Sequence, residues 1–333
     1  MAGILFVYSR GSTFVSIDRE ILQRRWEVRE WQQQSPIVNL PKLALAVWRS
    51  DIVFGWFASW HTFWPITLAW IMRKPSVLVV GGVDTARMPE INYGLQQRRF
   101  FRGLSRWVMR RASRLVTNSH YSRRELEANV GIPADRATVV YHGVPDPFGA
   151  LPSEPRERLA LTVGAVDDRN LERKGLRPFV EAAALVPDVS FVLAGRFYDD
   201  AAKKLEAGAK PNVTLTGWIA EEELEERFRR ASVYVQASLH EGFGMSVAEA
   251  MLAGCIPVTT AAGALPEVVG DAGVVIGEAS AEAVARGVEQ ALALDEQARG
   301  AARDRVLERF PLRVREQGLE AVVREALARK GRA

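Results

Sequence analysis

The chain has 333 residues, 48% hydrophobic and 25% charged, values that exclude a disordered, collagenous or disulfide-built protein. Its length suits two domains, each large enough for its own core. The net charge of +4 hides a division, since residues 1–150 carry 20 Lys and Arg against 11 Asp and Glu while residues 151–333 carry 24 against 29.

In chain order, the first half shows short, continuously apolar runs at 4–8, 51–57, 76–82, 114–119 and 137–143, which predict strands. Helical periodicity falls between them at 17–25, 65–73, 94–112 and 121–129. Residues 52–72 are 21 positions without an acid, Lys or Arg, long enough to span a bilayer. Gly55 and Pro65 interrupt that stretch, so a strand, a loop and a helix inside a domain are expected instead. Residues 1–8 lack a basic leader and predict a buried first strand rather than a signal peptide. The second half repeats the rhythm with strands expected at 159–166, 189–196, 212–217, 231–238, 255–260 and 273–277. Strands apolar throughout suit parallel sheets covered on both faces, here an α/β chain of two doubly wound domains. The Pro-rich segment 146–158 predicts the linker, which gives domains at 1–150 and 151–310. A terminal helix within 311–333 has no strand after it and is expected on either domain. Cys255 is the single cysteine, which fits a reducing, cytoplasmic setting.

The stretch SLHEGFGMSVAEAMLAGCIPV (238–258) carries the most chemistry. Glu241 precedes Gly242, Phe243 and Gly244, and a helix is expected from about Met245 with Glu249 in its first two turns. Glycines admit close backbone approach, and a helix N-terminus offers free N–H groups to an anion. A carboxylate on that helix can accept two hydroxyl protons of a ribose diol. The alternative is a turn followed by a solvated helix carboxylate. Elsewhere, the absence of an Asp-x-Asp sequence gives no indication of a carboxylate-held metal.

The EGFGMSVAE segment, with the downstream GALPEVVGDAG, closely resembles the glutamate–seven–glutamate motif of the family 4 (group 1) retaining glycosyltransferases. LTVGAVDDRNLERKGL, FVLAGR, NVTLTGWI, TNSHYSRREL and VVYHGV extend the resemblance over about 76–275. It implies the GT-B fold, two Rossmann-like domains facing each other across a cleft. It also implies a donor-binding C-terminal domain, an acceptor-side N-terminal domain, a nucleotide-sugar donor and no metal or other cofactor. By the same resemblance Glu249 binds the ribose hydroxyls, while Glu241 and the backbone of Gly242, Phe243 and Gly244 hold sugar and phosphates. Lys174 neutralises the diphosphate, Gly164 marks the phosphate-loop strand, and Gly195, Gly217 and Trp218 belong to strands bounding the nucleobase. Gly11 corresponds to the loop after the first strand that faces the donor phosphate.

One departure concerns the second cation. The family places an arginine after the glycine of the VG strand end, where this chain has Ala165, leaving Arg173 and Arg169 as candidates. Asp84 falls near an acceptor-side His-Asp pair of the family and is expected either to touch substrate or to act as a cap or turn residue. Residues 96–114 hold seven arginines, no acid and three aromatic side chains. They read either as an amphipathic surface helix or as a peripheral contact with anionic membrane serving a lipid-linked acceptor. No nucleic-acid module surrounds them. The expected activity is transfer of a hexose-type sugar to a glycan or lipid-linked hydroxyl. A nucleotide-sugar epimerase or phosphorylase of the same fold, or a non-catalytic scaffold, remains the alternative.

Overall fold

The computed structural model describes residues 2–151 and 156–329. The chain forms two compact units, Met1–Gly143 with Leu312–Ala333, and Val144–Pro311. The first runs β1 (Gly3–Tyr8), α1 (Thr13–Gln23), β2 (Glu27–Gln32), α2 (Leu40–Trp48), β3 (Ile52–Trp56), α3 (Trp60–Ile71), β4 (Ser76–Val80), α4 (Arg99–Arg111), β5 (Arg114–Thr117), α5 (His120–Glu125) and β6 (Ala137–Val139). The second runs β7 (Glu157–Val163), α6 (Asp168–Arg173), α7 (Leu176–Ala182), β8 (Ser190–Ala194), α8 (Ala201–Gly208), β9 (Val213–Gly217), α9 (Glu221–Arg230) and β10 (Ala231–Gln236). It continues through α10 (Met245–Leu252), β11 (Ile256–Thr260), α11 (Leu265–Val269), β12 (Val274–Ile276), α12 (Ala281–Leu292) and α13 (Glu296–Arg309). The last helix, α14 (Leu312–Arg329), returns to the first unit.

Each unit is built on a six-stranded sheet, in the orders β2-β1-β3-β4-β5-β6 and β12-β11-β10-β7-β8-β9, and the paired strands are parallel. β3, β4, β10 and β11 are buried at every position, as parallel strands covered on both faces must be. Alternation sorts the first sheet's side chains. Leu5, Val7, Val53 and Leu78 pack with Leu43 and Val47 of α2, Ile66 and Ala69 of α3, and Val108 and Met109 of α4. Ile4, Phe6, Ile52 and Phe54 point the other way, against Ile21 and Leu22 of α1 and Leu319 and Val323 of α14.

Residues 52–72 form β3, a loop and α3, and among the described residues no helix is long and apolar enough to cross a membrane. The units divide at Gly143 and Val144, ahead of the expected 150/151 boundary. The reason is local packing. Phe148 meets Phe228 edge-on with ring centroids 6.2 Å apart, and the Arg229 guanidinium lies 5.1 Å over the Phe148 ring. The amide of Val144 also donates to the carbonyl of Phe310 at 2.9 Å. Of the expected linker, residues 152–155 lie outside the described residues, as do 330–333 of the terminal segment.

Candidate active site

In the second sheet the strand order reverses between β7 and β10, and ligands of open α/β sheets bind beyond the carboxyl ends of strands at such a point. The chain beyond β10 carries Ser238, His240 and Glu241, and the chain beyond β7 leads through Gly164 into α6. Asp167 caps α6 by accepting the amides of Arg169 and Asn170. Asn170 in turn accepts Nε and Nη2 of Arg173 at 3.0 and 2.7 Å, which fixes the guanidinium before any ligand arrives. Lys174 ends α6, and Gly175 follows with φ of +65°. A Cβ on Gly175 would lie 2.1 Å from the carbonyl oxygen of Ala237, so only glycine lets the α6–α7 turn close onto the end of β10. The amide of Leu239 donates to the carbonyl of Arg173 at 2.8 Å and completes the junction.

Glu241 therefore sits between two cations. Its Oε1 is 3.6 Å from Nζ of Lys174 and 3.9 Å from Nη1 of Arg173. Gln236 Nε2 and Ser238 Oγ each donate to the same oxygen at 3.2 Å. Burial acts to raise the Glu241 pKa, but the positive charges of Lys174 and Arg173 outweigh it and hold the carboxyl below its ordinary range. The group is a carboxylate at neutral pH, and it leaves the cation pair with a net positive charge. Of the two candidates for a second cation, Arg173 joins this cluster while Arg169 is exposed on the first turn of α6.

Gly244 caps α10 with φ of +102°, and Glu249 lies in the second turn. Glu249 is half-buried, and burial together with the charge of Glu221 pushes its pKa up to about 7. The buried Tyr234 lies within the field of both Glu249 and Glu241, and its hydroxyl donates to Gln236 at 3.1 Å. Phe243 packs edge-on against Phe310 with centroids 5.2 Å apart, so its ring belongs to the core and only its backbone is available to a ligand. Gly242 is partly exposed beside it.

Three of the expected glycines line up at the carboxyl edge. Gly164 donates its amide to Ala194, and Gly195 donates to Gly217, both at 2.9 Å. A Cβ on Gly195 would lie 1.9 Å from the carbonyl oxygen of Gly164, so the ends of β7 and β8 approach only without a side chain there. Trp218 follows, 66% exposed, with the Arg196 guanidinium 6.0 Å over its ring.

The first unit treats its expected residues differently. Asp84 is wholly buried, and its two carboxylate oxygens accept the amides of Ala58 at 2.8 Å and Gly81 at 2.9 Å. Burial pushes its pKa up to about 7 against those two donors. Of the two expected roles, the structure shows the turn role, with Asp84 joining the loops after β3 and β4. Gly11 lines a pocket of about 550 Å³ with Ser9, Arg10, Gln32, Gln34 and Trp60, beyond the ends of β1 and β2. His142 stacks on Trp56 at 5.8 Å, and burial lowers its pKa well below normal, in keeping with a structural role.

Sequence reasoning missed Gln236, Ser238, Tyr234 and Asn170. A signal existed for the first three: positions 234, 236 and 238 are polar at strand period in an otherwise apolar run. It missed Gly263 as well, whose Cβ would lie 2.2 Å from the carbonyl oxygen of Glu241.

Comparison with known proteins agrees with the fold. The family model described as glycosyl transferases group 1 matches residues 157–293, and that described as Glycosyltransferase Family 4 matches residues 16–146. The chain is 29% identical over 203 residues to the O-antigen chain mannosyltransferase B of Escherichia coli, covering 54% of this chain and 52% of that protein. It is 27% identical over 243 residues to the lipopolysaccharide core biosynthesis mannosyltransferase LpcC of Rhizobium leguminosarum, covering 66% of each. The chain thus spans about half to two thirds of the length of these curated relatives. Its fold matches the crystal structure of Anabaena HepE, solved with UDP and glucose, with a TM-score of 0.77 at 18% identity over 97% of this chain and 100% of that one. Two parallel six-stranded sheets flanked by helices, with matched family models spanning both, make this chain a member of the family 4 (group 1) glycosyltransferases with the GT-B fold.

Proposed function

We propose that the protein transfers a hexosyl residue from a nucleotide-sugar donor to a hydroxyl of a glycan or lipid-linked acceptor, with retention at the anomeric carbon and without a metal ion. The observation that carries this reading is the Lys174–Glu241–Arg173 cluster at the switch point of the second sheet. Departure of a nucleoside diphosphate develops negative charge, and cations fixed beforehand stabilise that charge without reorganising. Glu241 and Asn170 supply the fixing. Lys174 and Arg173 are then the groups that take the place of a divalent ion.

Glu249 is assigned the ribose diol, whose two hydroxyl protons its carboxylate can accept. The exposed indole of Trp218 is assigned to the nucleobase side, and the glycine edge of β7, β8 and β9 allows the donor close to backbone. Retention fits attack from the face the diphosphate leaves, with the departing phosphate oxygen taking the acceptor's proton. The relatives' mannosyl activities and the glucose in HepE are compatible with a hexosyl group.

Removing one such charge commonly costs roughly 100-fold or more in turnover. Lys174→Ala and Glu249→Ala should each lower transfer by about that factor while far-UV circular dichroism is unchanged, and activity should persist in EDTA. The assay is release of free nucleoside diphosphate with an elongated acceptor, after a thermal-shift screen of UDP-, GDP- and ADP-sugars has identified the donor. Full activity in both variants would sink the site, and an altered nucleotide sugar without an elongated acceptor would make the enzyme an epimerase.

A further inference from the structure

The outer face of the first unit carries a feature that sugar transfer does not use. α2, α3 and α4 cover one side of the first sheet, burying Leu43, Val47, Ile66, Ala69, Val108 and Met109. Their opposite side holds large apolar groups in solvent: Phe100 is 74% exposed, Trp48 64% and Ile71 61%, with Leu45, Trp70 and Trp107 also exposed. No acid occurs on any of the three helices, and none occurs in residues 91–124. Between Glu30 and Asp84 the single acid is Asp51, whose carboxylate accepts the amide of Gly3. Cations punctuate the same face, with Arg49, Arg73, Arg99 and Arg110 exposed.

The patch is ordered as well as apolar. The Arg111 guanidinium lies 3.9 Å from the ring centre of Trp107 and 4.6 Å from that of Trp70. The Trp107 indole N–H donates to Thr67 Oγ1 at 3.2 Å, tying α4 to α3. Lys74 donates to the carbonyl of Trp48 at 2.7 Å, tying the end of α3 to the end of α2. Indole rings, aliphatic side chains and arginines without carboxylates have the chemistry of a surface that lies in the interface of a bilayer with anionic headgroups.

We infer that the α2–α3–α4 face docks the protein on an anionic phospholipid membrane, its Trp, Ile and Phe side chains entering the interface and its arginines meeting the headgroups. Charge complementarity selects this occupant. A second copy packed face to face would set cations against cations without an acid to offset them. A nucleic acid would meet the arginines but leave Leu45 and Ile71 in water or against phosphate.

The test is co-sedimentation of the intact protein with vesicles of phosphatidylglycerol and phosphatidylcholine, compared with phosphatidylcholine alone. Binding to the anionic vesicles should be strong at low salt, weaken with added salt, and bring quenching of tryptophan fluorescence by brominated lipid. The triple variant Trp48→Ser, Ile71→Ser, Phe100→Ser should lose at least tenfold in vesicle partition with its melting temperature kept, and Arg73→Glu with Arg110→Glu should do likewise. Absence of pelleting at low salt, or equal pelleting of both variants, overturns the inference. So does a dimer that the triple variant dissociates in protein that ignores vesicles, or binding confined to an oligonucleotide.

Discussion

Glu241 and Glu249 are eight positions apart and carry opposite electrostatics. Glu241 is ionised by the two cations and two hydrogen-bond donors around it, whereas Glu249 has its pKa pushed up to about 7 by burial and by Glu221. If the ribose diol binds the carboxylate form of Glu249, protons compete with the donor. Affinity should be flat above pH 7 and fall by up to tenfold per unit below it, since binding there must first release a proton. Glu249→Gln should bind weakly with that slope removed, which titration calorimetry across pH 5.5–8.5 can measure; an unchanged slope would assign it to another group. The sequence announced both glutamates through their motif. It could not give their protonation, because Glu241 answers to Lys174 and Arg173 from a turn 67 or more positions earlier and Glu249 to burial and Glu221.

At the scale of elements, the turn between α6 and α7 positions the cation pair, and Gly175 is its critical residue. A methyl group there would meet the carbonyl of Ala237 at 2.1 Å on a backbone with φ of +65°. Gly175→Ala should therefore cost about 1–3 kcal/mol in stability and lower turnover more than stability, because Lys174 moves with the turn. Gly208→Ala is the control: its added Cβ meets nothing within 4 Å at the end of α8, and it should be neutral or slightly stabilising in the same thermal melts. Element prediction found all six strands of the second sheet within or overlapping apolar runs, the partly exposed edge strand β9 included. It failed for β2, an edge strand of sequence EVREWQ with no buried position, because a strand exposed along one edge has no need of a continuous apolar run. It also passed over α2, whose nine residues show few polar positions to mark a helical period.

For the whole molecule, the decisive contact joins residues 297 positions apart. Arg315 of α14 forms a paired interaction with Asp18 of α1, Nε to Oδ1 at 2.8 Å and Nη2 to Oδ2 at 2.6 Å, with both side chains buried. Arg315 also donates to the carbonyl of Val140 and lies 5.7 Å over the Trp56 ring. Removing one member of a buried pair leaves the other charge uncompensated, so Asp18→Ala should cost about 3–5 kcal/mol in denaturant unfolding. A loss below about 1 kcal/mol would mean that Arg315 finds other partners or water. With α14 in the first unit, the charge division sharpens: that unit carries 26 Lys and Arg against 13 Asp and Glu, the other 18 against 27. The basic surplus is concentrated on the unit with the exposed tryptophan face.

The sequence by itself determined the α/β class, the strands buried on both sides, the family and the short motif that carries both glutamates. These are encoded in neighbouring residues, through periodicity and local turn chemistry. Tertiary structure alone decided which arginine stands beside Glu241, that Asp84 is consumed by backbone amides, that the terminal helix belongs to the first unit, and that three acid-free helices share one outer face. Each of those outcomes depends on which distant segments the parallel sheet order brings together, and no local pattern records that order.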